Sequence, residues 1–494
     1  LSMDACTTLL TLDPKLSDAE LYELVDTATM SVFELPPPAD EATEALTKQT
    51  LTSLNDLLAV IVEKDVSADC LQSLVKHLGR WMTSPKEYQR EWMMQSYHAL
   101  LKAFQTCARK KFEAGSEHKT IEGFGKFVAD LVPRCTDPVL AVRQHSLLCI
   151  QEFLRIQACY QGHGSQEDPI IEAIVQLKER AEKTEPAVQF AVVNDLAKVL
   201  AKKILPEELL QFLYPLCEGL LDRESASASG ACVVLNGIFR TRGAELQDEI
   251  PSLLAALHEK MSVIDFERTR TGVLRALRTL AVHHLEILVE RLQQFEIPYD
   301  QHIIDTWHTL ATDETLAPRI LDILLSILET SRPYETKDEK RDSKTPATAP
   351  MKATCAVREL LAVAETEKLA MENYPRLFAN LVTRMTATAG ITPGKGPSPV
   401  MDAIDAFKEF LSSTKSQFVF DLLDEREQWV LLETEADNVT AVTTIAEAIC
   451  THKPDMVKPI IEQLEPVLKR VYDAQRSGAA AVMAEFINQR LERG

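Results

Sequence analysis

Five sulfur and imidazole side chains lie close together in the sequence: Cys135, His145, Cys149, Cys159 and His163. Thiolate and imidazole are ligands that zinc prefers, and residues four apart on a helix share a face, so His145 and Cys149 can point the same way. Structural zinc uses paired ligands two to five residues apart on both halves of its site. Here the short spacings are one His-x-x-x-Cys and one Cys-x-x-x-His, and thiols buried on apolar helix faces account for the cysteines equally well. No metal is assigned. A second candidate is GITPGKGPSP, residues 390–399. A phosphate loop needs four residues between its glycines, then Lys and Ser or Thr, so that backbone N–H groups wrap the phosphate. Gly390 and Gly394 have three residues between them, Lys395 is followed by Gly396, and no strand precedes. No Ser, His and Asp set and no Cys and His pair stands out, and the expectation is a non-enzyme without a cofactor. Asn438-Val439-Thr440 is a glycosylation sequon, which matters only in a secreted chain. The start, LSMDACTTLL, lacks the basic segment and long apolar run of a secretory signal.

Charge carries more information. The 494 residues hold 53 Lys and Arg against 74 Asp and Glu, a formal net charge of −21. A polyanionic backbone recruits the opposite sign, so broad nucleic-acid binding is disfavoured. The acidity is uneven: residues 1–100 have 7 basic and 16 acidic side chains, residues 101–300 have 24 and 28, and residues 301–494 have 22 and 30. In the less acidic middle, basic residues cluster near the predicted C-terminal ends of second helices: Arg109, Lys110, Lys111; Lys198, Lys202, Lys203; Arg240, Arg242; Arg275, Arg278. Such helices stack side by side along a concave face, so their ends would form a basic ridge facing an acidic protein segment or anionic lipid headgroups. The local alternative is that each cation satisfies its own helix dipole, at ~0.3–1 kcal/mol apiece.

The elements that would position these residues are helical nearly throughout. In LPEELLQFLYPLCEGLLDRE, Leu209, Leu210, Leu213, Leu216, Cys217, Leu220 and Leu221 recur at three- and four-residue spacing, which places them on one stripe. No alternating stretch bounded by Asn-Gly or Asp-Gly is present, and no sheet is expected. Gly is only 16 of 494, a shortage that counts against dinucleotide folds and hairpin-rich sandwiches. No run approaches the ~18 apolar residues needed to span a bilayer. The ten cysteines show no regular pairing, as expected for reduced thiols in a cytosolic compartment. Leu1 in place of Met reads as added residues before Met3 or a chain cut from something longer.

Helices come in pairs that repeat. Repeat starts fall near Asp137, Glu185, Asp222, Asp265, Ser398, Asp437 and Asp473. Asp137 is expected to cap its helix, with Pro138 in the first turn. Small residues in second helices (Ser146, Ala191, Ala231) would allow close approach. A period near 40 built from two antiparallel helices marks HEAT-type repeats. The predicted fold class is all-α, a right-handed α-α superhelical solenoid of about eleven HEAT-like hairpins, since one hairpin cannot bury its own apolar face. Their predicted spans are 17–62, 66–106, 119–160, 168–203, 206–241, 245–282, 285–312, 315–363, 373–414, 417–451 and 455–492. Residues 1–330 hold the N-terminal repeats and residues 351–494 the C-terminal ones. Between them residues 331–350, charged and without an apolar stripe, read as a flexible loop in one continuous solenoid. Trp81, Trp92, Trp307 and Trp429 read as packing residues rather than interface anchors.

Asp265 to Leu328 carries a more specific pattern: an Ile297-Pro298-Tyr299-Asp300 turn, a helix with Trp307 and Leu310, then a Leu-rich helix with Leu321, Leu324, Leu325 and Leu328. This stretch resembles the maestro HEAT-like repeat family. The resemblance implies a fragment or short relative of longer proteins. It also implies a non-enzymatic cytosolic scaffold, recruited to lysosomal membranes by a small GTPase, self-assembling, with a role in lysosome dynamics. No functional residue is carried over from it. The alternative is a soluble adaptor or transport-receptor-like solenoid holding peptide segments in its groove. Terminal apolar residues, Leu9, Leu10 and Leu12 or Val482, Met483, Phe486 and Ile487, would be exposed and promote end-to-end association.

Overall fold

The computed structural model describes residues 2–12, 16–113, 121–163, 167–338, 341–391 and 397–493. The chain divides into two compact units: Leu1–Leu246 with Ala255–Thr279, and Gln247–Leu254 with Leu280–Gly494.

The first unit is a stack of antiparallel helix pairs. Asp18–Phe33 pairs with Glu41–Lys64, Ala68–Gly79 with Glu87–Glu113, Phe124–Leu131 with Leu140–Tyr160, and Leu209–Glu218 with Ser225–Arg242. Side-chain caps start several helices. Ser17 and Glu20 form a reciprocal capping box, Asp40 and Thr43 another, and Ser67 accepts from the Cys70 N–H. Second helices stack on second helices: Glu41–Lys64 on Glu87–Glu113, that helix on Leu140–Tyr160, and Pro186–Lys203 on Ser225–Arg242. Each pair therefore closes the apolar stripe of the next, and Leu54, Leu101, Phe104, Leu147, Phe153 and Leu196 are fully buried between them.

Asp137 does something other than cap a helix. The Leu140–Tyr160 helix has Val139 at its N-cap, so Pro138 lies outside the first turn. Asp137 Oδ1 does accept the Val139 N–H at 3.0 Å. Both of its oxygens also receive guanidinium groups: Arg90 Nε at 2.9 Å, Arg90 Nη2 at 3.1 Å and Arg134 Nη1 at 2.6 Å. Arg134 continues to Asp222, whose Oδ1 accepts the Glu224 N–H at 2.9 Å. Arg143 donates to the backbone oxygens of Asp137, Pro138 and Ala181. The acidic residue that opens a repeat is thus a tie between successive pairs, because two buried arginines need it more than one helix end does.

Close approach is set by glycine as much as by the expected small residues. Ser146 and Ala231 are buried, but Ala191 is exposed. Gly237 is the tighter point: a Cβ there would lie 2.6 Å from the Ala197 Cβ of the neighbouring helix.

The second unit repeats the scheme. Leu316–Thr330 packs on Thr348–Leu361, Tyr374–Thr388 on Pro399–Ser413, Gln417–Glu425 on Asn438–His452, and Pro454–Leu464 on Asp473–Arg493. Asp300 caps Gln301–Ala311, accepting the Ile303 N–H at 3.0 Å, and Trp307 on that helix is fully buried beside Tyr299. Tyr299 Oη donates to the Lys352 oxygen at 3.1 Å. The helical run Glu267–Leu292 is interrupted at His284 (φ −141°, ψ 56°), near the division expected between the hairpins 245–282 and 285–312.

One difference from the sequence reading lies in the charged segment 331–350. It carries an antiparallel hairpin, β1 (Tyr334–Asp338) and β2 (Arg341–Pro346), with Tyr334 opposite Pro346 and Glu335 opposite Thr345. The strands lack an apolar face, which is why no alternation betrays them. Tyr334 instead stands edge-on to Tyr472 at 5.2 Å, and Lys344 reaches over the Tyr334 ring and pairs with Glu435 at 2.8 Å. A second difference is at the C-terminal helix. Val482 and Phe486 are fully buried, because Asp473–Arg493 packs on both Asn438–His452 and Tyr374–Thr388. Ile487 is exposed and Met483 half-buried; Leu9 and Leu12 are exposed as expected, and Leu10 half-buried.

Candidate interaction surfaces

The ten basic residues all belong to the first unit, and the fold sorts them. Arg109, Lys110 and Lys111 occupy the last turns of Glu87–Glu113 and are exposed, with Lys111 donating to the Val66 oxygen at 3.1 Å. Lys198, Lys202 and Lys203 end the helix Pro186–Lys203. Lys198 pairs with Asp195 at 2.8 Å, and Lys203 is held by Asp168. Arg240 and Arg242 end Ser225–Arg242. Arg242 is buried, forked onto Glu245 at 2.9 and 2.5 Å and donating to the Ile204 oxygen at 2.7 Å. Arg275 and Arg278 lie on Glu267–Leu292, about two turns before its interruption at His284. Lys198, Lys203 and Arg242 are therefore local structural ties. Lys110, Lys202, Arg240 and Arg275 are exposed and Arg278 half-buried, and none of the five side chains makes an ion pair among the described residues.

A second surface had no signal in the sequence. A groove of about 970 Å³ opens among the first helices Ala68–Gly79, Phe124–Leu131 and Leu209–Glu218. Tyr22, Tyr97, Phe127, Pro133 and Leu221 contribute apolar lining. Charges of both signs stand on its walls: Lys126 pairs with Asp130 at 2.7 Å, and Glu218 with Lys260 at 2.6 Å. An apolar floor with a charged rim suits a peptide segment better than a small molecule. The contributing side chains come from the hairpins 17–62, 66–106, 119–160 and 206–241, and each looks like ordinary packing in its own helix.

The zinc candidates do not converge. Cys135 Sγ contacts Ser146 Oγ at 3.0 Å, Cys149 and Cys159 are fully buried, and His163 is exposed. His145 turns instead to His98, their ring centres 5.4 Å apart. Burial is the main cause that pushes both imidazoles down, His98 to about 4. Among the described residues no group of His, Cys, Asp and Glu is arranged to hold a metal ion. Burial likewise raises the thiols of Cys135, Cys217, Cys232 and Cys355 to about 12, which suppresses the nucleophilic thiolate form. In GITPGKGPSP, residues 392–396 lie outside the described residues, including Gly394, Lys395 and Gly396. Asn438 is buried within its helix, where its side-chain amide donates to the Thr434 and Glu435 oxygens. Trp307 and Trp92 are buried, Trp81 packs on Phe33 at 5.8 Å, and Trp429 lies between Phe420 and Lys408. All four are packing residues.

Stacked helix pairs tied by buried acid and arginine residues, with grooves between repeats, define a HEAT-type helical-repeat protein. The sequence comparisons are more specific, and the chain belongs to the maestro HEAT-repeat family. The profile described as Maestro, HEAT repeats matches residues 50–321, and one described as SGR6, HEAT repeats matches residues 316–490. Maestro heat-like repeat-containing protein family member 1 of Mus musculus is 26% identical over 522 residues, covering 99% of this chain. The Homo sapiens protein of that name is 26% identical over 513 residues, again covering 99%, and that of Dictyostelium discoideum 26% over 516 residues, covering 98%. In each comparison the match spans 31% of the relative's own length. Among solved structures, Kap121p aligns over 97% of this chain and 55% of its own, at 10% identity and a TM-score of 0.22. A designed armadillo repeat protein aligns over 63% of this chain and 98% of its own, at 13% identity and a TM-score of 0.18. Likeness at that level carries no argument about function. Among the described residues no helix is long and apolar enough to cross a membrane.

Proposed function

We propose that this chain is a non-enzymatic, protein-binding section of a larger HEAT-repeat scaffold that works in the cytosol and is drawn to lysosomal membranes by a small GTPase. The observation that carries the surface assignment is the set of five cations, Lys110, Lys202, Arg240, Arg275 and Arg278, on four long second helices and without ion pairs among the described residues. Exposed cations that the fold does not consume are available to an acidic protein surface or anionic headgroups within about one Debye length. The lysosomal setting and the GTPase come from the family resemblance and not from the geometry.

The test is affinity capture of small GTPases loaded with GTP or GDP, beside co-sedimentation with anionic vesicles. Capture in one nucleotide state, lost on charge reversal of Lys202, Arg240 and Arg275 to Glu, supports the reading. Capture that ignores both the nucleotide and the charge reversal removes it. Lys203 and Arg242 are unsuitable for reversal, since Asp168 and Glu245 would be left facing a like charge.

The groove of about 970 Å³ favours a second reading, a soluble adaptor that holds peptide segments. Substituting Phe127 by Glu abolishes peptide capture if the groove is the site and leaves vesicle binding unchanged. Self-assembly is the last element of the proposal, with Leu9, Leu12 and Ile487 as exposed apolar contacts. A single monomeric species in sedimentation across a concentration series rejects it.

A further inference from the structure

The groove among the first helices has a charge asymmetry that none of its helices shows alone. Most of its charged side chains are already spent. Lys126 pairs with Asp130 at 2.7 Å, and Glu218 with Lys260 at 2.6 Å. Arg134 is shared between Asp137 and Asp222. Three charged residues of the lining remain, Lys76, Arg223 and Asp69, all exposed and without an ion pair among the described residues.

The two cations stand on the side where the first helices end. Lys76 is in the last turn of Ala68–Gly79, and Arg223 follows the turn Gly219–Leu221 that closes Leu209–Glu218. Arg90 ties this side together: its Nη1 donates to the Ser84 oxygen at 2.9 Å, and its Nη2 lies 3.9 Å from Glu224 Oε1. The neighbours of those two contacts in sequence, Thr83 and Arg223, both line the groove, and Glu224 faces a cation other than Arg223. Asp69 stands about two turns before Lys76, in the first turn of the same helix, where a carboxylate answers the helix dipole. Lys76 answers the other end of that dipole, which leaves Arg223, outside any helix, with no local role. Across the groove the lining is apolar, with Phe127 half-buried and Leu221 exposed.

We propose that the groove takes an acidic amphipathic peptide segment of a partner protein, its apolar side chains against Phe127 and Leu221 and its carboxylates towards Lys76 and Arg223. The proposal rests on the reading of the groove as a peptide site and adds the charge and direction of the occupant. A basic segment meets Lys76 and Arg223 as like charges and finds only Asp69 to pair with, so the unspent charge selects against it. The surface is separate from the cations Lys202, Arg240 and Arg275, which lie on second helices.

The experiment measures binding of three labelled peptides of about 15 residues to the full chain, all with leucines at helical spacing and with Glu, Gln or Lys at the other positions. The Glu peptide binds tightest. Lys76→Glu and Arg223→Glu, both at exposed positions, each weaken it about fivefold, the scale of one exposed ion pair, and strengthen the Lys peptide in return. Gly79→Phe fills the groove from a position where a built Cβ meets nothing within 4 Å, and it removes binding. Reversal of Lys202, Arg240 and Arg275 to Glu leaves the Glu peptide bound. Equal affinity for all three peptides, lost in Gly79→Phe, overturns the acidic occupant while the groove remains a peptide site. Binding that survives Gly79→Phe, or binding of none of the three, overturns both. A preference for the Glu peptide that only the reversal at Lys202, Arg240 and Arg275 removes assigns it to the second helices and overturns the proposal.

Discussion

Arg90 grips Asp137 through two parallel hydrogen bonds of 2.9 and 3.1 Å, with the two side chains 1% and 0% exposed. Arg134, also 1% exposed, shares the same carboxylate at 2.6 Å. One acid thus answers for two buried cations, and Asp222, in the hairpin 206–241, takes the other end of Arg134. Replacing Asp137 with Asn leaves two guanidinium groups facing a neutral amide, and the expected loss is ~3–5 kcal/mol, read by denaturant unfolding. Adding Arg90→Met and Arg134→Met recovers most of it, because a well-packed apolar set replaces a desolvated one. A single substitution costing under ~1 kcal/mol shows that the tie is not closed in solution.

Stability should fall in mild acid through His98. Burial pushes its imidazole down to about 4, aided by His145 and the cations Lys102, Lys178 and Arg155 around it. The unfolded chain takes up the proton near the ordinary value of 6.5 and the folded chain does not. The unfolded state therefore binds more protons between about pH 6.5 and about pH 4, and folding weakens as pH drops through that window, by up to ~3 kcal/mol. Denaturation midpoints from pH 7.5 to pH 5 check this. His98→Phe flattens the slope; an unchanged slope assigns it to other groups.

Two glycines give opposite outcomes on the same substitution. Gly237→Ala places a methyl 2.6 Å from the Ala197 Cβ, so two stacked helices must separate, at ~1–3 kcal/mol. Gly79, at the end of Ala68–Gly79, has nothing within 4 Å of a built Cβ. Gly79→Ala is neutral or stabilising by up to ~1 kcal/mol. Thermal melts of the two variants side by side give the comparison.

Thiol labelling follows burial. Of the ten cysteines only Cys6 and Cys107 are part-exposed, and the other eight are buried. The native chain is expected to titrate about two thiols promptly with an aromatic disulfide, and all ten in denaturant. Prompt reaction at Cys149 or Cys159, located by mass spectrometry, contradicts the packing of the Leu140–Tyr160 helix.

Sequence alone settled the class of fold. Apolar residues at three- and four-residue spacing, such as Leu209, Leu213, Leu216 and Leu220, fix which face of each helix must be covered, and a repeat near 40 residues says that the next repeat covers it. Helix pairs and most of their limits were legible for that reason. The β1 and β2 hairpin was not, because its sequence carries no apolar stripe and it is held by Tyr472 and Glu435 from distant sequence. The basic residues were legible as a cluster, but whether a cation is spent or available depends on the acid that folding places beside it: Asp168 consumes Lys203, while Lys202, one position earlier, points to solvent. Asp137 read as a helix cap by its neighbours in the chain and became an arginine tie by its neighbours in space. Periodicity is a local property and survives in one dimension. Pairing of charges and convergence of a groove depend on residues brought together only by stacking, and the tertiary structure alone decided them.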